Sequence, residues 1–282
     1  MGSLAHTREP SRTQRRLMSR YGPWAVVTGA SSGIGREITR GLAAAGLNVV
    51  LVARSEGELR RLATELADRY GVEARVVTLD LARDTGVGVL EGMTRDLDVG
   101  LFVASAGFGT SGPFLDSALD TELDMLAVNC CSLVALTWHF GRRLRARGRG
   151  GVVLMSSIVG FQGAPQAAHY AATKAYVQAL GEALAVELAP AGVDVLASAP
   201  GPTASGFADR AGMTMGKAMD AAKVARGTLD ALGRKSTVLP GFLSKLLRYS
   251  LATLPRWARV RIMGKVMRGM TRRGPDGLAS GN

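Results

Sequence analysis

Short apolar runs recur along the chain at residues 24–28, 48–53, 74–79, 99–104, 151–156 and 193–199. Each is too short for a typical helix and is bounded by Gly, Pro or polar residues, as buried strands are. Helical spacing fills the gaps; after the first run, Ile38, Leu42 and Ala45 share one face. Strands alternating with helices predict an α/β fold with a parallel sheet and helices on both faces. The longest apolar stretch, Leu123 to Phe140, is about the length of a membrane span. It contains Asp124, Asn129 and His139 and lies between strands, so a buried helix is expected.

The pattern changes at Gly241. Phe242, Leu243, Leu246, Leu247, Ser250 and Leu254 follow helical spacing up to Pro255. A second stretch carries Trp257, Val260, Met263, Met267 and Met270 among Arg256, Arg259, Lys265 and Arg268. Charge sets the same boundaries. Of the formal net +12, residues 1–20 hold five Arg against one Glu, and residues 241–282 hold nine basic side chains against one Asp. Residues 21–240 balance at 21 basic and 21 acidic. Three parts follow: a basic N-terminal tail over 1–20, a charge-balanced main domain over 21–240, and a basic amphipathic extension over 241–282. An apolar, Trp-anchored, acid-free run from Gly241 to Arg273 has the profile of an interfacial helix. A lid over a substrate cleft and a subunit contact fit the same spacing. Basic residues interleaved with large aliphatics, without a base-stacking motif, argue against nucleic acid. The Arg cluster over 142–149 reads as a solvated helix end.

With 282 residues, one α/β domain can bury a large core. Cys130 and Cys131 are adjacent and read as buried small hydrophobes. Three His and two Cys, scattered, suggest no metal site. Residues 1–20 lack the apolar segment of a secretory signal, and a cytoplasmic protein is expected, with or without peripheral membrane contact.

After the first strand the chain reads Thr28-Gly29-Ala30-Ser31-Ser32-Gly33-Ile34-Gly35. Strand, glycine turn and helix together are the setting of a dinucleotide fingerprint. Glycines let backbone approach a pyrophosphate, and the helix N-terminus offers N–H donors. A single Rossmann-type, doubly wound sheet with a helical C-terminal extension is therefore expected.

Further on, Tyr170 and Lys174 stand four residues apart, and Tyr170 follows Ser157 by thirteen. A spacing of four stacks two side chains on one helical face. An ammonium there would favour phenolate and lower the Tyr pKa from about 10. Ser157 could hydrogen-bond the same substrate oxygen.

The glycine loop T-G-x-x-x-G-x-G followed by an upstream Ser and Y-x-x-x-K resembles the short-chain dehydrogenase/reductase family, from about Ala25 to about Phe207. The resemblance implies an Asn-Ser-Tyr-Lys group, with Asn129 as the asparagine. It implies that Pro200-Gly201 is the turn beside the nicotinamide and that Asp80 meets the adenine. The family's N-N-A-G stands here as Ala104-Ser105-Ala106-Gly107; that departure bears on local hydrogen bonding, not on the chemistry. Expected cofactor contacts are Gly29, Ser31, Ser32, Gly33, Ile34, Gly35, Arg54, Asp80, Leu81, Ala106, Gly107, Tyr170, Lys174, Pro200, Gly201 and Thr203.

Arg54 closes the second strand where an acidic residue would bind the ribose of NAD, and it suits a 2′-phosphate. NADPH and carbonyl reduction are expected. Tyr170 would protonate the alkoxide, Ser157 would bond the oxygen, Lys174 would tune Tyr170 and bond the ribose, and Asn129 would hold a relay water. Phe108, Phe161, Phe207, Met213 and Met215 suggest a bulky apolar ketone of polyketide, steroid or fatty-acyl type. A homo-oligomer is expected. The alternatives are a non-catalytic dinucleotide sensor and a membrane-associated lipid reductase.

Overall fold

All five residues of β1 (Trp24–Thr28) are buried, which places this strand in the middle of the sheet. The computed structural model describes residues 9–83, 85–214 and 218–271. α1 (Arg12–Tyr21) precedes β1, and α2 (Gly33–Ala43), β2 (Asn48–Ala53), α3 (Glu56–Tyr70) and β3 (Ala74–Thr78) follow it. Next come α4 (Gly86–Met93), β4 (Val99–Ala104), α5 (Leu119–Leu126), α6 (Leu133–Arg147) and β5 (Gly150–Met155). The domain closes with α7 (Ala168–Glu187), β6 (Val193–Ser198), β7 (Thr203–Ala204), α8 (Phe207–Arg210), β8 (Met219–Asp220), α9 (Ala221–Ala231) and β9 (Thr237–Val238). The extension folds as α10 (Phe242–Ala252) and α11 (Arg256–Met270).

The main sheet has seven parallel strands in the order β3-β2-β1-β4-β5-β6-β9. Alternate residues of the strands feed two cores. Ala25, Val27, Val49 and Leu51 pack with Leu17, Ile38, Leu42, Leu59 and Leu229, from α1, α2, α3 and α9. Val26, Val50, Phe102 and Val152 pack with Leu90, Leu136, Phe140 and Val177, from α4, α6 and α7. The sheet is doubly wound, as the alternating pattern predicts. Strand order reverses between β1 and β4, and the crevice at their carboxyl ends is where such sheets bind ligands.

Four readings of the sequence need correction. Residues 1–20 are not simply a tail. Ser11 and Gln14 form a capping box, and α1 buries Leu17 and Tyr21. Tyr21 donates to Asp194 Oδ2 at 2.7 Å, and the Arg16 guanidinium donates to the Leu229 carbonyl at 2.9 Å. Residues 1–8 lie outside the described residues. Secondly, the apolar stretch is two helices joined by a π-helical turn, Ala127–Ser132. Leu133, Leu136, Phe140 and Leu144 are buried under the sheet, while Leu119, Leu123 and Trp138 are exposed. Thirdly, Cys130 is buried but Cys131 is exposed, because adjacent helical positions point to different sides. Finally, Arg143 donates to the carbonyls of Thr94 and Leu97 at 3.0 and 2.7 Å, and Arg147 to that of Gly22 at 2.6 Å. These two arginines fasten α6 to the loops beside β4 and β1 rather than standing in solvent.

The extension folds back on the carboxyl end of the sheet. Leu251, Met263 and Met267 are buried with Ile158, Val159, Tyr170, Ala211 and Met213 in a third cluster. Buried Ser244 accepts a hydrogen bond from the Gly201 N–H at 3.1 Å, which pins α10 to the Pro200-Gly201 turn. Residues 272–282 lie outside the described residues.

Candidate active site

The turn between β1 and α2 can be built only with glycine at its tight points. A Cβ on Gly35 would lie 2.2 Å from the Gly29 carbonyl oxygen, and Gly29 itself has φ +70°. The loop Gly29, Ser31, Ser32, Gly33, Ile34 and Gly35 forms one wall of a cleft of about 540 Å³. No acidic side chain sits in the first turn of α2, so nothing offsets the partial positive charge of the helix N-terminus. Backbone donors at a dipole end, with no competing carboxylate, fit a pyrophosphate.

Beyond the loop the cleft is lined by Arg54, Asp80, Leu81, Ala106, Gly107, Pro200, Gly201 and Thr203. Every expected cofactor contact therefore faces the same cavity. Arg54 is exposed and carries none of the described ion pairs. Its acidic neighbours are engaged elsewhere: Glu56 lies 2.6 Å from Arg60, and Glu58 pairs with Arg61. The Asp80 carboxylate accepts from the Ala82 N–H at 3.0 Å. In the altered turn after β4, Thr28 Oγ1 accepts from the N–H groups of both Ser105 and Ala106, each at 3.1 Å. The threonine of the glycine motif thus holds this turn although both asparagines are absent.

Ser157, Tyr170 and Lys174 line the floor of the cleft. Ser157 is the last residue before a 3-10 turn after β5, and Val159 N–H donates to its Oγ at 3.4 Å. Tyr170 and Lys174 stand on the buried side of α7, at 8% and 6% exposure. The Lys174 ammonium donates to the Met155 carbonyl at 2.8 Å and lies 5.8 Å from the Tyr170 ring centroid.

The expected lowering of the phenol pKa is not met in this arrangement. Burial pushes Tyr170 up to about 12, and its hydrogen bond with Ser157 pulls only partly the other way. Burial likewise pushes Lys174 down to about 8. Desolvation is the larger influence on the phenol, and the described hydrogen bond of the ammonium goes to the Met155 carbonyl.

Asn129 sits in the π turn with no exposed surface. Its Oδ1 accepts from the Phe108 N–H at 3.1 Å, and its Nδ2 donates to the Phe108 carbonyl at 2.9 Å and to Thr173 Oγ1 at 3.1 Å. The side chain is a clamp between the β4 loop and α7. Thr173 Oγ1 in turn donates to the Tyr170 carbonyl at 2.8 Å, so the clamp reaches the backbone of Tyr170.

The opposite wall is mainly apolar, with Arg210 and Arg248 also in its lining. Phe108, Phe207, Met213, Leu251, Ile262, Met263, Val266, Met267 and Met270 line it, and Phe207 packs on Tyr170 with ring centroids 5.3 Å apart. Phe161 is outside this lining and instead stacks under the Arg248 guanidinium at 4.5 Å. Met215 lies outside the described residues. The wall's debt to α10 and α11 is legible in sequence only as methionines at helical spacing. Nothing in that spacing says which surface the helices cover.

The short chain dehydrogenase family profile matches residues 23–215. Two curated relatives illustrate the likeness. A 7beta-hydroxysteroid dehydrogenase of Collinsella aerofaciens is 34% identical over 179 residues, 64% of this chain and 68% of that protein. A very-long-chain 3-oxoacyl-CoA reductase of Podospora anserina is 37% identical over 185 residues, 64% of this chain and 54% of that protein. The match thus spans about half the length of the fungal reductase. Among solved structures, a 7beta-hydroxysteroid dehydrogenase superposes with TM-score 0.81 at 28% identity, covering 88% of this chain and 98% of the other. A short-chain dehydrogenase from Sphingobium yanoikuyae in complex with NADPH gives 0.75 at 29% identity, covering 84% and 98%.

Proposed function

The chain belongs to the short chain dehydrogenase family of oxidoreductases, and on that premise we propose that it reduces the carbonyl of a bulky apolar ketone with NADPH. The observation that carries this reading is one cleft whose floor holds Ser157, Tyr170 and Lys174, whose one wall is the glycine loop and whose other wall is mainly apolar. NADPH, when bound, would supply the hydride. The loop's N–H groups would hold the pyrophosphate and Arg54 the 2′-phosphate. The NADPH-bound relative supports this cofactor.

Tyr170 is the general acid. With its pKa held near 12 by burial it keeps its proton at neutral pH, which suits donation to a developing alkoxide. Ser157 shares that oxygen and orients the carbonyl. Lys174, held by Met155, keeps a positive charge beneath the site while it stays protonated, and would hydrogen-bond the ribose of a bound NADPH. The amide of Asn129 is occupied by Phe108 and Thr173, so any water relay at this residue would use its backbone carbonyl. The apolar wall excludes water and selects an apolar body, and the steroid and long-chain acyl names of the relatives agree with that class. A sensor without chemistry would not need a proton donor buried beside Ser157.

The test is NADPH consumption across a panel of steroid, acyl and small ketones, with the matching alcohols and NADP in reverse. Turnover of bulky ketones well above small polar ones is expected. Tight NADPH binding with no turnover of any member would favour the sensor.

A further inference from the structure

Residues 241–271 carry seven basic side chains and no acidic one. The described ion pairs all fall between residues 20 and 194, so none neutralises this segment. The inner face of α10 and α11 is accounted for: Ser244, Leu251, Met263 and Met267 are buried against the cleft. The outer face is not. Phe242, Leu246 and Tyr249 fall at spacings of four and three on α10 and are 79%, 51% and 65% exposed. Trp257 at the start of α11 is 63% exposed, with the Arg261 guanidinium 5.2 Å from its ring. None of these four apolar side chains lines the cleft.

A lid explains the inner face but not large apolar side chains held in water among cations that hold none of the described ion pairs. A second copy placed symmetrically on this face would bring like charges together, with no acid on either segment to offset them. Aromatic residues with apolar bodies and polar tips, flanked by Lys and Arg that can extend past them, match the boundary of an anionic bilayer. We propose that the outer face of α10 and α11 docks the protein on an anionic lipid surface. Ile262 and Val266 lie on the same helix, line the cleft, and are still 38% and 42% exposed, so the rim of the cleft sits beside the docking face. An apolar ketone would then pass from bilayer to cleft without crossing water. This last step alone rests on the proposed reductase activity.

Flotation of the full chain with vesicles tests the docking. Binding to phosphatidylcholine vesicles containing phosphatidylserine is expected at low salt, with release at high salt and little binding to phosphatidylcholine alone. Replacing Lys245, Arg256, Arg261 and Lys265 together by Ser should weaken partitioning at least about 100-fold. Combined Phe242→Ser, Tyr249→Ser and Trp257→Ser should also abolish it, with an unchanged melting curve as the check on folding. Wild-type protein that stays in the buffer at low salt would overturn the proposal, and this arm needs no variant. So would a dimer that the Trp257 set converts to monomer without any vesicle binding. For the route of entry, a bulky ketone dissolved in the vesicles should be reduced faster on anionic than on neutral ones. Flotation without turnover of any ketone would overturn the activity and leave the docking standing.

Discussion

Replacing Asn129 by Ala removes three hydrogen bonds from a position with no exposed surface. Thr173 Oγ1 keeps its bond to the Tyr170 carbonyl, so its loss is partial. The Phe108 N–H and carbonyl both lose their described side-chain partner, at 3.1 and 2.9 Å. Phe108 is only half-buried and lines the cleft, so water can take up part of the loss and each bond is worth about 0.5–1.5 kcal/mol. The two bonds give about 1–3 kcal/mol, a noticeable part of the roughly 5–15 kcal/mol that holds a domain folded. The Asn129→Ala variant should therefore show a lower urea midpoint with an unchanged slope. Activity should fall too, because the clamp sets the β4 loop and the backbone of Tyr170. An inactive variant whose urea midpoint matches that of wild type would refute the clamp and point instead to a direct role for Asn129 in the chemistry.

Ser244→Ala removes the bond to the Gly201 N–H, worth about 1 kcal/mol, and should raise KM several-fold for bulky ketones while sparing small ones. Gly201→Ala should act in the same direction and more strongly, since its Cβ would lie 2.6 Å from Ser244 Oγ; equal effects on both ketone classes would show that α10 does not cover the cleft. Arg54→Asp should shift preference from NADPH to NADH by roughly 10- to 100-fold, the loss of a charged hydrogen bond; an unchanged ratio of the two kcat/KM values would remove Arg54 from the phosphate site. Burial lowers Lys174 to about 8, so its ammonium is present below that pH and lost above it. The kcat/KM for reduction should accordingly fall as pH rises through about 8, and a flat profile to about pH 10 would separate Lys174 from the chemistry.

The six long strands and the glycine turn were legible because buried parallel strands are continuous apolar runs and the turn has few alternatives to glycine. The seventh, β9, has two residues, too few for any pattern. The Ser157, Tyr170 and Lys174 set was legible from spacing, since a period of four fixes one face of α7. The direction of the Tyr170 pKa was not, because it depends on where the Lys174 ammonium points and how dry the floor is. The clamp at Asn129 was hidden for a related reason: its partners, Phe108 and Thr173, are distant in sequence and two of the three bonds are to backbone. Likewise α1 looked like a tail because its arginines dominate its composition, whereas its docking rests on Leu17 and Tyr21.

The central claim is that Tyr170 donates the proton in a carbonyl reduction. Tyr170→Phe keeps the ring against Phe207 and removes only the hydroxyl. NADPH affinity, followed by fluorescence titration, should change little, while single-turnover reduction of a ketone that the wild type accepts should slow by about 10²–10⁴-fold. A variant that binds NADPH normally and retains more than about a tenth of the wild-type rate would contradict the account.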